Sequence, residues 1–454
     1  MPYTSFDPWS QIQTATFGEM PDTVIEKIAI AAQSAYIRWR NTTIEHRCEN
    51  LQMMKARLSS RRNELAEIMA SEMGKPVAQG LQEVDKCGLL CTWYAENAAA
   101  ILKPEKRPSS ARESQVFYEP QGIILGIMPW NFPFWQAFRF MVPALTGGNS
   151  VLLKHASNVP GCALAIEETV NASGYPTGLF RTIFPSHSQV ATMISDPRIR
   201  GISLTGSNMA GKKISALAGE HLKKVVMELG GSDPFLVFPD AAIDKAVEAA
   251  VFSRFQNGGQ SCIAAKRLII HEDIYEEFRE KFLRRTSALR TGDPHDIATD
   301  VGPMVSAAAA DELERQLDEA LGAGAKLLCG GRAGKAKPAL FIPSVVEDVP
   351  LSSPLAREEI FGPVAPLFKF RTVSEAVEMA NETPFGLGAA VWTADEALAM
   401  KIAHDIDTGT VAINGFVKSE PGLPFGGVRE SGFGRELAAE GLREFLNIKT
   451  ISIY

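Results

Sequence analysis

Three side chains stand out for the chemistry their surroundings would allow: a cysteine, a glutamate and an asparagine. Cys262 closes the run Phe255-Gln256-Asn257-Gly258-Gly259-Gln260-Ser261-Cys262. Glycines and small polar neighbours just after a helical stretch favour an accessible thiol, whose thiolate is a strong nucleophile. Read alone, a lone cysteine more often packs as a small hydrophobe. The other five (Cys48, Cys87, Cys91, Cys162, Cys329) sit in helical or apolar contexts and are read that way. Glu228, in Met227-Glu228-Leu229-Gly230-Gly231, ends an apolar strand. Strand ends in α/β sheets are where ligands bind, and a carboxylate among apolar neighbours has the raised pKa of a general base. The alternative is a surface glutamate at a strand terminus. Asn131 is framed by Pro129-Trp130 and Phe132-Pro133. A rigidly held amide donates to a developing oxyanion, or else bonds its own turn.

A fourth motif, Gly206-Ser207-Asn208-Met209-Ala210-Gly211-Lys212, follows an apolar run and opens a helix. It is one position short of a P-loop, because Lys213 stands where Ser or Thr would hold magnesium. What survives is a glycine turn at a helix start, either a phosphate cradle or simply a tight strand-to-helix turn. Together the motifs supply a nucleophile, a base, an oxyanion donor and a phosphate turn.

The elements that must position these groups follow from periodicity. Residues 23–40, 63–73 and 81–99 carry helical spacing, so the first hundred residues read as mostly helix. Apolar strands at 123–128, 151–153, 180–184, 202–204 and 225–227 then alternate with helices at 138–145, 162–172 and 209–217. Strands apolar on both faces indicate a parallel sheet covered by helices. A second α/β stretch starts near Gly231, with strands at 235–238 and 267–270 and helices at 242–254, 275–289, 307–322 and 373–381. The fold class is α/β.

Composition narrows the function classes. The chain has 454 residues, 45% of them hydrophobic and 22% charged, and a net charge of −7. That is an ordinary globular balance long enough for two or three domains. The mild acidity, without any basic stripe, argues against a nucleic-acid partner. No CxxC pair suggests zinc, and no metal is expected. No apolar run reaches 18 residues and the N-terminal segment lacks a signal-peptide pattern, so no membrane partner and a cytoplasmic location are expected.

Taken in order, PWNFP (129–133), KHAS (154–157), LTGS (204–207), MELGG (227–231), FQNGGQSC (255–262), EEIFGPV (358–364), PFGLGAAVW (384–392) and PFGGVRESGFGRE (424–436) resemble the aldehyde dehydrogenase superfamily along nearly the whole chain. The resemblance is nearest to its bacterial succinic semialdehyde branch. It implies a Rossmann-like cofactor domain (1–102 and 121–230), an α/β catalytic domain (231–430) and a small β oligomerisation element (103–120 and 431–454). A homodimer or a dimer of dimers is implied as well. It also implies a mechanism. Cys262 attacks the aldehyde, Asn131 and the Cys262 N–H stabilise the oxyanion, and hydride transfer leaves a thioester. Glu228 then activates the water that hydrolyses it. By the same resemblance Trp130, Lys154, Ser157, Gly206, Ser207, Leu229, Glu359 and Phe361 bind the cofactor.

Two departures refine the expectation. Ser157 stands where NAD-preferring relatives carry a glutamate that would repel a 2′-phosphate, so NADP is expected, with NAD used less efficiently. Arg139, six residues after Pro133, matches succinic semialdehyde dehydrogenases, where a guanidinium in an aromatic pocket meets a substrate carboxylate. The alternative is pairing with a protein carboxylate. Trp135 and Ser419 are expected to border the same pocket. Gln256 replaces a second arginine found in some relatives, which leaves glutarate semialdehyde or glycolaldehyde as alternative substrates. Glu228 argues against acyl transfer to coenzyme A, and the intact Cys262, Glu228 and Asn131 argue against a non-catalytic protein on this fold. Ala264, where some relatives place a second cysteine, excludes an adjacent-cysteine disulfide.

Overall fold

Five largely apolar strands and a short edge strand build the first sheet of the computed structural model, which describes residues 2–454. Ile123–Met128, Ser150–His155, Phe180–Thr182, Ile199–Thr205 and Lys224–Glu228 are mutually parallel. Numbered in chain order, their spatial order is 5-4-1-2-3. The order reverses between Ile123–Met128 and Ile199–Thr205, and at such a switch point the loops leaving the carboxyl ends diverge and open a crevice. Those two loops are Pro129-Trp130-Asn131 and Gly206-Ser207.

The second sheet has seven strands, ordered Lys326–Arg332, Phe341–Glu347, Val364–Phe370, Ala265–His271, Asp233–Val237, Gly388–Trp392 and Thr410–Ile413. Only the first pair is antiparallel. The chain passes from the first sheet to the second within residues 229–232. Glu228 thus ends one sheet just before Asp233 begins the other. Cys262 lies immediately ahead of the central strand Ala265–His271.

The helix Pro133–Thr146 is buried along its whole length and carries the residues between the two sheets. Its start is fixed electrostatically. Glu83, buried on the helix Val77–Ile101, accepts the N–H groups of Phe134 and Trp135, both at 2.9 Å. These are among the four N–H groups that a helix start leaves unpaired, and a carboxylate there also meets the positive end of the helix dipole. Glu83 in turn pairs with Lys75, also fully buried, whose ammonium lies over the Phe132 ring. Glu72 repeats the device by accepting the N–H groups of Gly161 and Cys162 at the start of Pro160–Asn171.

The structure differs from the sequence reading in two places. The N-terminus forms a hairpin, Tyr3–Asp7 with Ile12–Phe17, ahead of the helices. Its second strand is largely exposed and polar, so it lacks the apolar alternation that marks a strand. The hairpin touches both halves of the molecule. Thr4 N–H donates to Ser157 O, and Lys337 Nζ donates to Trp9 O and sits 3.7 Å from the Trp9 ring centroid. The second difference is a boundary. The small antiparallel sheet consists of Glu105–Lys106, Glu113–Pro120 and Leu446–Ile453. Residues 431–445 do not join it. Gly432–Phe433 pairs with Met227 and Glu228 at the edge of the first sheet, and Ala438–Glu444 packs on Val77–Ile101 and Pro133–Thr146.

Removing one partner of a buried ion pair strands the other. Glu83→Ala should therefore destabilise the protein by about 3–5 kcal/mol, read as a lower urea midpoint. The double variant Lys75→Met/Glu83→Gln should recover part of that loss. Equal midpoints for wild type and Glu83→Ala would contradict the capping role.

Candidate active site

Cys262 owes its place to an unusual stretch of backbone. Asn257, Gly258 and Gly259 have φ of +56°, +62° and +71°. Three successive left-handed residues are tolerable here because two are glycine and one is asparagine. A Cβ on Gly259 would lie 2.4 Å from Gly362 O. The Asn257 side chain locks the loop by donating to Asn131 O at 2.7 Å and to Gln260 O at 3.2 Å. Asn131 Nδ2 donates to the same Gln260 O at 3.1 Å. The nucleophile loop and the PWNFP loop are thereby tied to each other. His155 adds a further tie, with its ring Nε2 2.9 Å from Pro133 O and its Nδ1 accepting the Ala156 N–H. Burial pushes its pKa down to about 4, so it is neutral.

Two cavities meet at Cys262. One, of about 280 Å³, is lined by Trp130, Asn131, Gly206, Ser207, Leu229, Glu359 and Phe361. The other, of about 370 Å³, is lined by Lys86, Trp135, Arg139, Gln256, Ser419 and Phe425. Cys262 and Gln136 line both. The Cys262 N–H makes no hydrogen bond among the described residues, and one Asn131 amide N–H remains uncommitted. An oxygen bound to the carbon attacked by Cys262 would find these two donors.

The smaller cavity is the crevice that the strand order opens. Ser207 caps Asn208–Glu220 by accepting the Ala210 N–H. Glu359 is held by Lys266 Nζ at 3.0 Å and by the Gly231 N–H at 3.1 Å, and Phe361 meets Trp130 edge-on at 5.7 Å. Lys154 and Ser157 do not line this cavity. They lie beyond it, after the strand Ser150–His155, with Ser157 exposed and Lys154 5.8 Å from the Tyr3 ring centroid. Burial lowers the Lys154 pKa, and no carboxylate offsets that effect. Lys212 pairs with Glu430 at 3.0 Å and is not free to serve as a P-loop lysine. No group of three or more His, Cys, Asp or Glu side chains could hold a metal among the described residues.

Electrostatics correct three expectations. Arg139 does not wait for a substrate carboxylate, because its Nε lies 2.7 Å from Glu436 Oε2 and both side chains are buried. Its Nη2 still lacks a hydrogen-bond partner. Glu228 lines neither cavity, and its Oε1 faces Gly426. Burial raises its pKa well above the carboxylate range. Glu436 adds to that shift, while Arg139 and Arg435 oppose it. Neither Glu228 oxygen has a hydrogen-bond partner. Cys262 is only half-buried as a residue, yet burial pushes its thiol up to about 12 against the pull of Arg139 and Lys266. Burial thus favours the neutral thiol in the free protein, and the thiolate that attacks must form from it. Lys86, Glu83, His155 and Glu436 are additions to the site. His155 and Glu436 fall inside the quoted motifs KHAS and PFGGVRESGFGRE, but their roles, like those of Lys86 and Glu83, show only in contacts across the fold.

Comparison with known proteins agrees with this geometry. Residues 2–451 match the aldehyde dehydrogenase family. Succinate-semialdehyde dehydrogenase (NADP(+)) 1 of Mycobacterium tuberculosis strain H37Rv is 44% identical over 456 residues, covering all of both chains. The crystal structure of succinic semialdehyde dehydrogenase from Streptococcus pyogenes, in complex with NADP+, superposes with a TM-score of 0.97 at 34% identity, covering 99% of each chain. That of the succinate-semialdehyde dehydrogenase from Burkholderia pseudomallei gives 0.96 at 32%, covering all of this chain and 94% of the other.

A thiol held up to about 12 exposes a thiolate fraction that grows with pH. Alkylation of Cys262 in the free protein by iodoacetamide should therefore accelerate about tenfold per pH unit between pH 7 and 9. Peptide mass spectrometry would follow it, and a plateau below pH 8 would show that the thiolate is already formed.

Proposed function

Because this chain belongs to the aldehyde dehydrogenase family, we propose that it oxidises succinic semialdehyde to succinate with NADP, using Cys262 as nucleophile. The observation that carries this reading is the position of Cys262 at the junction of two cavities, one polar and cationic at its far end, the other a strand-switch crevice. An aldehyde entering from one side and a dinucleotide from the other meet at its sulfur.

The residues present fit a dinucleotide with an additional phosphate. The crevice offers the Ser207 helix start and the aromatic faces of Trp130 and Phe361, and Glu359 is held ready to accept from ribose hydroxyls. Beyond it, Lys154 makes no ion pair with a carboxylate among the described residues, and Ser157 offers a small hydroxyl where a carboxylate would repel a 2′-phosphate. Gly206 and Leu229 complete the lining of the crevice.

Catalysis begins when the Cys262 sulfur bonds to the aldehyde carbon. Since burial holds the thiol up, its proton passes to solvent in the open cavity as the C–S bond forms and the carbonyl π bond breaks toward oxygen. The carbonyl oxygen becomes an oxyanion between Asn131 Nδ2 and the Cys262 N–H, and donors fixed before the reaction cost no reorganisation at that moment. When bound, NADP supplies the hydride acceptor that converts the thiohemiacetal to a thioester. Glu228 then takes a proton from water as the water oxygen adds to the thioester carbonyl, and succinate leaves with the Cys262 thiol restored. Burial makes the Glu228 carboxylate a stronger base than an exposed one. Because its oxygens face Gly426 instead of the cavities, the side chain rotates toward Cys262 for this step.

Two measurements test the reading. Wild type should show higher kcat/KM with NADP than with NAD, and Ser157→Glu should lower the NADP value by about 100-fold or more through like-charge repulsion, sparing NAD. Equal use of both cofactors by wild type would remove the Ser157 argument. Glu228→Gln should give one equivalent of NADPH in a rapid burst and then stall, with the acyl-enzyme visible by mass spectrometry. Normal turnover in that variant would exclude Glu228 as the base.

A further inference from the structure

The larger cavity contains a cation that the scheme above leaves unused. Lys86 projects from Val77–Ile101 so that its Nζ lies 2.9 Å from Ser419 Oγ and 4.1 Å from the Trp135 ring centroid. Trp135 Nε1 also donates to Ser419 Oγ, at 2.9 Å. With two donors on its lone pairs, the buried Ser419 hydroxyl has its own proton left to give. Of the other cations that line this cavity, Arg139 is paired with Glu436, and Lys418 is exposed with its ammonium over the Phe416 ring. Lys86 makes no ion pair with any carboxylate among the described residues.

Burial pushes the Lys86 pKa down to about 8, with the Arg139 charge the next cause, so the ammonium form still prevails at neutral pH. A cation whose partners are one hydroxyl and one ring face, in a cavity walled by Phe132, Trp135 and Phe425, is incompletely compensated. An anion delivered by a ligand completes it. Arg139 is ion-paired with Glu436 where it stands, with its Nε and Nη2 lacking a hydrogen-bond partner, whereas the Lys86 charge has no carboxylate partner among the described residues.

We propose that Lys86 is the specificity-determining cation of the substrate cavity, binding the carboxylate of the aldehyde with the Ser419 hydroxyl as the adjoining donor. This rests on the reading of the protein as a dehydrogenase of an anionic aldehyde. It deepens that reading by moving the net charge that selects the substrate from Arg139 to a residue on a different helix. Arg139 then serves mainly to hold Glu436 beside Glu228, and truncating it would disturb the base as well as the pocket. Lys86 touches no part of the Cys262–Asn131–Glu228 machinery.

The test compares succinic semialdehyde with butanal, its neutral counterpart of equal length, in wild type, Lys86→Met, Lys86→Gln and Lys86→Arg. Loss of one charged hydrogen bond should raise KM for succinic semialdehyde by about 10- to 100-fold in Lys86→Met, with kcat within about threefold. The constants for butanal should stay level or improve, and Lys86→Arg should recover most of the loss. Calorimetric binding of succinate to the free protein should weaken in parallel. Lys86→Gln keeps a donor to Ser419 and removes only the charge, so it carries the comparison if Lys86→Met does not fold. Equal changes toward both aldehydes, or unchanged succinate binding, would overturn the assignment. A wild type that prefers butanal would instead overturn the functional reading itself.

Discussion

The geometry between the two sheets depends on one buried carboxylate. Glu83 fixes the first turn of Pro133–Thr146, and that helix delivers Trp135, Gln136 and Arg139 to the cavities, while the loop just before it delivers Asn131. A helix start left with free N–H groups in a dry interior would be costly. The carboxylate that satisfies them would itself be intolerable without Lys75. The cation, the anion and the helix are therefore mutually conditional. Glu72 repeats the arrangement at the neighbouring helix, so the helices packed on the first sheet are anchored by charge as well as by apolar contact.

The same logic of compensated charge shapes the reactive centre. Two buried carboxylates, Glu228 and Glu436, share this region, Glu436 raising the proton affinity of Glu228 while the Arg139 and Arg435 guanidinium groups lower it. The pair cannot carry two full negative charges cheaply, so one proton is retained nearby and is ready to move. Cys262 shares the surroundings. Burial favours its neutral thiol, against the pull of Arg139 and Lys266.

Much of this was legible in the sequence where chemistry dictates local composition. Asn257-Gly258-Gly259 announces left-handed backbone because few other residues accept it, and PWNFP announces a rigid loop. The βα alternation of residues 123–228 is visible because strands buried on both faces must be apolar. The limits are equally physical. Lys86 and Glu83 look like ordinary polar members of an amphipathic helix. Their meaning lies in contacts with Ser419, 333 residues away, and with Phe134 and Trp135, 51 and 52 away. Arg139 advertised a need for an anion, but sequence could not say that Glu436 would supply it. Residues 431–445 were assigned with the terminal strand by proximity in the chain, whereas edge pairing with Met227 and Glu228 draws them to the first sheet.

The N-terminal hairpin carries a mechanical consequence. Its first strand is bonded to Ser157 on the cofactor side, and its turn is pinned by Lys337 on the catalytic side. Halves joined only by covalent crossings at a cleft are free to breathe, as domains with modest interfaces generally do. Here any widening of the crevice loads a short two-stranded clip, which stiffens the hinge at the end farthest from Cys262. The position of Ser157 and the stiffness of the cleft are thus set by the same few residues, and a polypeptide fused ahead of Tyr3 would perturb both at once.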